Sequence, residues 1–215
     1  MSREVFDKIA PGWYNFRHWS IFKDELDELA KKWKQGNLLN IGCGHGPDFL
    51  PFKDTFDLFG IDFSRAMLDH ACKYAEKFNY SPELLQGDIR NLPFADCSFD
   101  HAIAVASYHH IKDKSERLSA LKELLRVLAP GGEAFITLWN RWQPRFFFSG
   151  NEPVVSWHTR EEVVYRYYYL FSYHRAEKLV KQAGFRLIKS FPESSYRYPV
   201  KHFSRNICLL VRKPD

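Results

Sequence analysis

An apolar run that breaks directly into glycines at alternate positions, Leu38-Leu39-Asn40-Ile41-Gly42-Cys43-Gly44-His45-Gly46-Pro47, constrains this chain more than any other feature. Apolar residues on successive positions suit a strand buried on both faces of a parallel sheet. Gly42 and Gly44 can take positive φ or let a ligand approach bare backbone, and a helix opening after such a turn offers free N–H groups to that ligand. A Gly-rich turn between strand and helix is also a common way simply to reverse the chain, so the loop alone leaves both readings open.

The next segment favours a cofactor. Asp57-Leu58-Phe59-Gly60-Ile61-Asp62 reads as a second strand ending in an acid. Asp62 lies twenty residues beyond Gly42, the distance at which a βαβ unit sets a carboxylate against a ribose diol. A dinucleotide fingerprint would place its third glycine at position 47, where this chain has Pro47; the glycine comes one residue early, at Gly46, which argues against NAD.

Downstream, Ser64 is a predicted cap for a helix from Arg65 to about Phe78 with Met67, Leu68, Ala71, Cys72 and Ala75 inward. Met67 is read as core. A short helix is expected over 48–53, a third strand at Leu84-Leu85, and a buried fourth strand over 98–106. Ser115 is the expected cap of a helix through Leu128, and Pro130-Gly131-Gly132 turns the chain into a fifth strand from Glu133 to Trp139. A last helix over 172–183, stopped by Gly184, and strands over 185–191 and 206–211 complete the pattern. Strands alternating with helices give an α/β fold with a parallel sheet and right-handed crossovers, with ligands bound where the strand order reverses.

Upstream of the loop, residues 21–34 space Phe22, Leu26, Leu29 and Trp33 as a packing helix with Gly36 as its stop. Before it, Val5 to Arg17 reads as an aromatic arm that either closes over the cofactor site or packs on the domain edge.

Charge separates the two ends of the chain. Residues 1–140 carry 17 Lys and Arg against 20 Asp and Glu, whereas residues 141–215 carry 14 against 6. That basic last third is the footprint of a polyanion partner, with an ordinary solvated surface as the bland alternative. Between Trp139 and Tyr173, 12 of 35 residues are aromatic, with Arg141, Arg145, Arg160 and Arg166 among them. Taken as largely loop, the segment cannot bury all those rings, and rings interleaved with arginines suit base stacking and phosphate contact. Cys43, Cys72, Cys97 and Cys208 form no C-x-x-C pair, which suggests neither zinc nor disulfides and fits a reducing compartment. The charged start of the chain and the lack of an eighteen-residue apolar run lead to the expectation of one soluble, cytoplasmic domain without membrane contact.

Gly42, Gly44 and Gly46, Asp62 closing the second strand and Asp88 in Gln86-Gly87-Asp88-Ile89 together resemble the class I S-adenosylmethionine-dependent methyltransferases. The resemblance implies a Rossmann-like, doubly wound, mostly parallel seven-stranded sheet with helices on both faces, and S-adenosylmethionine as cofactor. It places Asn40, Gly42, Cys43, Gly44, Gly46, Asp62, Phe63, Met67, Asp88, Ile89 and Val105 around that cofactor, Asp62 on the ribose and Asp88 on the adenine. Asn40 departs from the acid usual in the family.

Further blocks are similar to one branch, the tRNA wobble-uridine carboxymethyl O-methyltransferases: Val5-Phe6-Asp7-Lys8-Ile9-Ala10-Pro11, Tyr108-His109-His110, Arg166-Tyr167-Tyr168-Tyr169-Leu170-Phe171 and Arg205-Asn206-Ile207-Cys208. Tyr169 stands where that branch tends to have His. The likeness implies the carboxylate of 5-carboxymethyluridine as acceptor, the tRNA anticodon loop as partner, and a small zinc-binding activator protein. An ionised carboxylate needs no general base, only an in-line grip, for which Arg17, Arg141 and Arg166 are candidates, with His109 at the reacting face or serving structure. A small-molecule O- or C-methyltransferase and a non-catalytic cofactor-binding subunit are the competing classes.

Overall fold

The computed structural model describes residues 3–215. Their elements run α1 (Arg3–Phe16), α2 (Lys23–Trp33), β1 (Gly36–Ile41), β2 (Phe56–Asp62), α3 (Arg65–Phe78), β3 (Glu83–Gln86), β4 (Phe99–Val105), α4 (Lys114–Val127) and β5 (Leu128–Trp139). They continue with β6 (Val154–His158), β7 (Val163–Tyr167), α5 (Tyr173–Gln182), β8 (Arg186–Pro192) and β9 (Asn206–Arg212). Seven strands form one sheet in the order β3-β2-β1-β4-β5-β9-β8. β1 to β5 are parallel, while β9 lies antiparallel between β5 and β8. The doubly wound, mostly parallel sheet is the expected one.

Strand periodicity explains the layers. Adjacent residues of β1 point to opposite faces, so Leu39 and Ile41 join a core with Leu121 and Leu124 of α4 and Leu179 and Val180 of α5. Leu38 joins the other, with Leu26, Leu29 and Trp33 of α2 and Leu68 of α3. The strand order reverses between β1 and β4, and the glycine loop leaves β1 at that point.

Several boundaries differ from expectation. The N-terminal arm is the helix α1, with Ile9 and Ala10 buried; Pro11 inside it cannot donate to the Asp7 carbonyl, and the helix ends at Phe16. Asp7 Oδ1 instead accepts from Ser64 Oγ and from the Ala66 N–H, which ties α1 to the free donors at the start of α3. Ser64 caps α3 as predicted, but Cys72 is exposed and Tyr74 takes the buried place on its inner face. α2 ends at Lys34, at φ 70°, and Gly36 opens β1. The short helix over 48–53 is a 3-10 turn over Pro47–Phe52. Asp113, not Ser115, caps α4, because its Oδ1 accepts from the N–H groups of Ser115 and Glu116.

The largest difference lies in the aromatic segment. It is not mainly loop: β6 and β7 pair as an antiparallel hairpin, Val155 opposite Arg166 and Trp157 opposite Val164. Within the triple Phe, Phe146 is buried, whereas Phe148 is fully exposed.

Candidate active site

Strand ends and loop build the floor of the site. Gly42 and Cys43 both donate to the Ile61 carbonyl, which clamps the loop against the end of β2. At φ 67° Gly42 holds a left-handed conformation, and a Cβ there would sit 2.4 Å from Ser107 Oγ, so only glycine fits. Gly44, at φ 54°, has nothing within 4 Å of its missing side chain and lines an open cavity. Its N–H donates to Asp62 Oδ2 and that of Ser64 to Oδ1, both at 2.9 Å, so the acid closing β2 also sets the loop. Burial pushes the Asp62 carboxyl up to about 6, against the pull of these N–H donors.

Above the floor, residues distant in sequence make the walls. Phe6, Ile9, Trp13 and Arg17 come from α1 and its end; Cys43, Asp62, Phe63, Met67, Ile89 and Val105 from the β2 and β4 side. His109, His110, Trp139, Arg166 and Tyr168 complete the lining. α1 therefore closes over the cavity, the first of its two expected placements. Met67 is buried under α1 with Ile9 and Val164, as read, and also lines the cavity.

Arg166 is the unusual wall. It is buried, its guanidinium carbon lies 5.4 Å from the Trp13 ring, 5.2 Å from Trp157 and 5.5 Å from Tyr168, and its Nε has no partner. Among the described residues no carboxylate pairs with it, and desolvation lowers its pKa. A buried cation held only by ring faces costs free energy that an anion would recover. Arg17, half-buried over Trp13 and Phe16, adds a second positive charge to the same cavity.

His109 is fully buried and stacked on Tyr168 at 5.1 Å. Its Nδ1 accepts from the Trp139 N–H at 3.3 Å, which places the ring proton on Nε2, and Nε2 has no partner. Burial drives its pKa well below the usual histidine range, so the ring stays neutral within the cavity wall. His110 Nδ1 donates to the Tyr167 carbonyl at 3.0 Å, and burial lowers its pKa to about 4.

Four expected site residues stand elsewhere. Arg141 donates to the Ser149 carbonyl and stacks on Trp142, outside the cavity, because the chain turns away after β5. Asp88 is gripped by Arg90, with Oδ2 2.6 Å from Nη2, and its neighbour Ile89 takes the wall position. Gly46 turns back to Tyr80, whose hydroxyl donates to its carbonyl. Asn40 is wholly buried behind the loop, and neither its Oδ1 nor its Nδ2 has a partner. Phe6, Trp13, Trp139 and Tyr168 went unassigned in the sequence; only their presence in aromatic blocks signalled them. Tyr169 points away, with the Arg117 guanidinium 3.7 Å over its ring.

Residues 38–132, from the first strand through the Pro-Gly-Gly turn, match the family model described as a methyltransferase domain. The whole chain superimposes on an S-adenosylmethionine-dependent methyltransferase from Clostridium acetobutylicum ATCC 824 with a TM-score of 0.78, covering 98% of this chain and 99% of that one at 16% identity. Residues 38–132 thus carry a methyltransferase domain, and the chain has the fold of the S-adenosylmethionine-dependent methyltransferase it superimposes on. Such a domain takes S-adenosylmethionine as its cofactor, and the open Gly44 and the Asp62 carboxylate fit that group.

Among curated relatives, this chain is 28% identical over 191 residues to a putative methyltransferase of Encephalitozoon cuniculi, covering 86% of this chain and 85% of that protein. It is 34% identical over 154 residues to probable tRNA methyltransferase 9B of Mus musculus, covering 71% of this chain but 32% of that one. It is 30% identical over 139 residues to the tRNA (carboxymethyluridine(34)-5-O)-methyltransferase of Saccharomyces cerevisiae, covering 63% and 47%. The chain thus spans about a third of the first and just under half of the second of those two relatives. A further structural neighbour, at TM-score 0.66, 18% identity and 98% coverage of both chains, is the putative methyltransferase of Haloferax volcanii in complex with the Trm112 activator.

Proposed function

We propose that this methyltransferase esterifies the carboxylate of 5-carboxymethyluridine at the tRNA wobble position. The observation that carries the reading is Arg166, a buried guanidinium caged by Trp13, Trp157 and Tyr168 with no carboxylate of its own. Such a fork grips one edge of an acceptor carboxylate and leaves an oxygen free to attack, while the rings around it accept a flat base. Two relatives named for tRNA methylation support the choice of acceptor.

Bound S-adenosylmethionine supplies a methyl group on a sulfonium, open to in-line displacement. On this reading Asp62 accepts from the ribose hydroxyls, and bare Gly44 backbone lets the cofactor approach. Cys43, Phe63, Met67, Ile89 and Val105 supply apolar wall. Asp88, held by Arg90 and next in sequence to the wall residue Ile89, is assigned to the adenine amino group. The acceptor carboxylate is already ionised at neutral pH, so no base is needed. His109 suits that chemistry: buried and neutral in the wall, with Nδ1 occupied by the Trp139 N–H, it is no general base. The aromatic walls exclude water, and positioning supplies roughly 7 to 11 kcal/mol.

The activator belongs to the same reading. Phe16, Trp19 and Ile21 stand 64%, 55% and 46% exposed in one short stretch, an apolar strip of the kind a small partner covers. The test is transfer of labelled methyl to tRNA bearing 5-carboxymethyluridine, with and without a Trm112-type activator, and base-labile label as the mark of an ester. Absence of transfer under both conditions, with methylation of a small metabolite, would establish a small-molecule methyltransferase instead, the reading that the apolar lining of the cavity favours second.

A further inference from the structure

A groove between α4 and α5, on the other side of the Tyr168-Tyr169 peptide from the cavity, is lined by Lys114, Arg117, Arg175 and Lys178 with no carboxylate among its lining residues. Lys181 continues the row one turn on, beside Glu177. Arg117 is its fixed floor: Nη1 donates to the Ile111 and Lys112 carbonyls at 2.8 and 2.7 Å, and the guanidinium lies flat on Tyr169. Arg175 reaches the Tyr169 hydroxyl at 3.3 Å. Among the described residues none of the five cations forms an ion pair. Nearby cations fare differently, Arg90 being neutralised by Asp88 and Glu116, and Arg126 by Glu123 and Asp96.

We infer that this groove holds the sugar-phosphate backbone of the RNA whose modified uridine enters the cavity, an inference that rests on the proposed tRNA acceptor. Arg175, Lys178 and Lys181 are exposed and three residues apart, so they form one stripe rising about 4.5 Å per step along α5. A row of unpaired cations at such steps complements a string of phosphates. Tyr168 faces the cavity and Tyr169 the groove, so one polymer strand can occupy both.

The experiment compares wild type with the triple variant Arg175→Gln, Lys178→Gln, Lys181→Gln for binding and methylation of tRNA bearing 5-carboxymethyluridine, across salt concentrations. Free 5-carboxymethyluridine nucleoside is the second acceptor, and Lys178→Arg with Lys181→Arg the charge-conserving control. Expected for the triple variant are at least tenfold weaker tRNA binding at low salt and a salt slope shallower by about one per lost phosphate contact, with nucleoside methylation and cofactor affinity unchanged and the control like wild type. An unchanged slope and affinity, on tRNA that the wild type methylates, overturns the groove and leaves the acceptor standing. Nucleoside methylation falling in parallel overturns it too, since a phosphate contact has no part in that reaction. If the wild type methylates no tRNA but does methylate a small metabolite, the acceptor reading falls and the groove with it.

Discussion

At Asp62, one carboxylate accepts from Gly44 and Ser64 while burial and the neighbouring Asp7 raise its pKa to about 6. Ribose hydroxyls would favour its charged form, so the bound pKa lies lower than the free one. Affinity for S-adenosylmethionine is therefore full above pH 6 and falls as pH drops, by up to about tenfold per unit, until the bound-state pKa is passed. Calorimetry between pH 5 and 8 should show this, and Asp62→Asn should flatten it. Arg166→Ala is expected to reduce methyl transfer roughly ten- to a hundredfold, the worth of a hydrogen bond to a charged group, with cofactor affinity intact; Arg166→Lys should rescue little, because an ammonium lacks the planar fork. Initial rates with a saturating donor separate the two. Ala106, on the cavity wall at φ 57°, holds a conformation that costs an L-residue about 1–2 kcal/mol, so Ala106→Gly should raise stability by about 0.5–1 kcal/mol after its own chain entropy, read from the urea midpoint. Gly42 and Asp62 were legible in the sequence because local spacing fixes them. Trp13 and Tyr168 were not, since 154 intervening residues must fold before they meet around Arg166.

Among the elements, α3 was legible almost to the residue, because Ser64 and the apolar spacing that follows agree. α4 was displaced at its start because Asp113 and Ser115 are both capping types, and only the fold shows which oxygen meets the free N–H groups. Asp113→Ala should cost about 1 kcal/mol in denaturant unfolding and Ser115→Ala a few tenths, an order that Ser115 as cap would reverse. The β6–β7 hairpin carried its own signal, in Val154-Val155-Ser156-Trp157-His158 and Val163-Val164-Tyr165-Arg166-Tyr167 on either side of a short polar link. The density of aromatic residues masked it, since rings and arginines read as a surface loop. α1 was missed because Pro11 and Gly12 interrupt its pattern. Both misread elements cover the site, where substrate chemistry competes with regular patterning for each position.

Taken whole, the molecule sets a basic last third against a mildly acidic body, and α5 brings Arg175 and Lys178 of that third to the groove beside Tyr169. If six to ten phosphates are contacted, affinity for tRNA should drop by about 10³ to 10⁵ between 50 and 200 mM salt, while affinity for S-adenosylmethionine barely changes; a filter-binding titration at both concentrations checks it. The alternating strand and helix signals made the doubly wound sheet legible, but nothing local revealed that the last strand lies inside the sheet. β9 is an interior strand, hydrogen-bonded to β5 on one side and β8 on the other, with Ile207 to Val211 buried. During synthesis, then, β5 waits with one edge open and apolar until the ribosome has released residues 206–212, about seventy residues after β5 itself. In that interval the nascent sheet is at its most vulnerable to pairing with another chain.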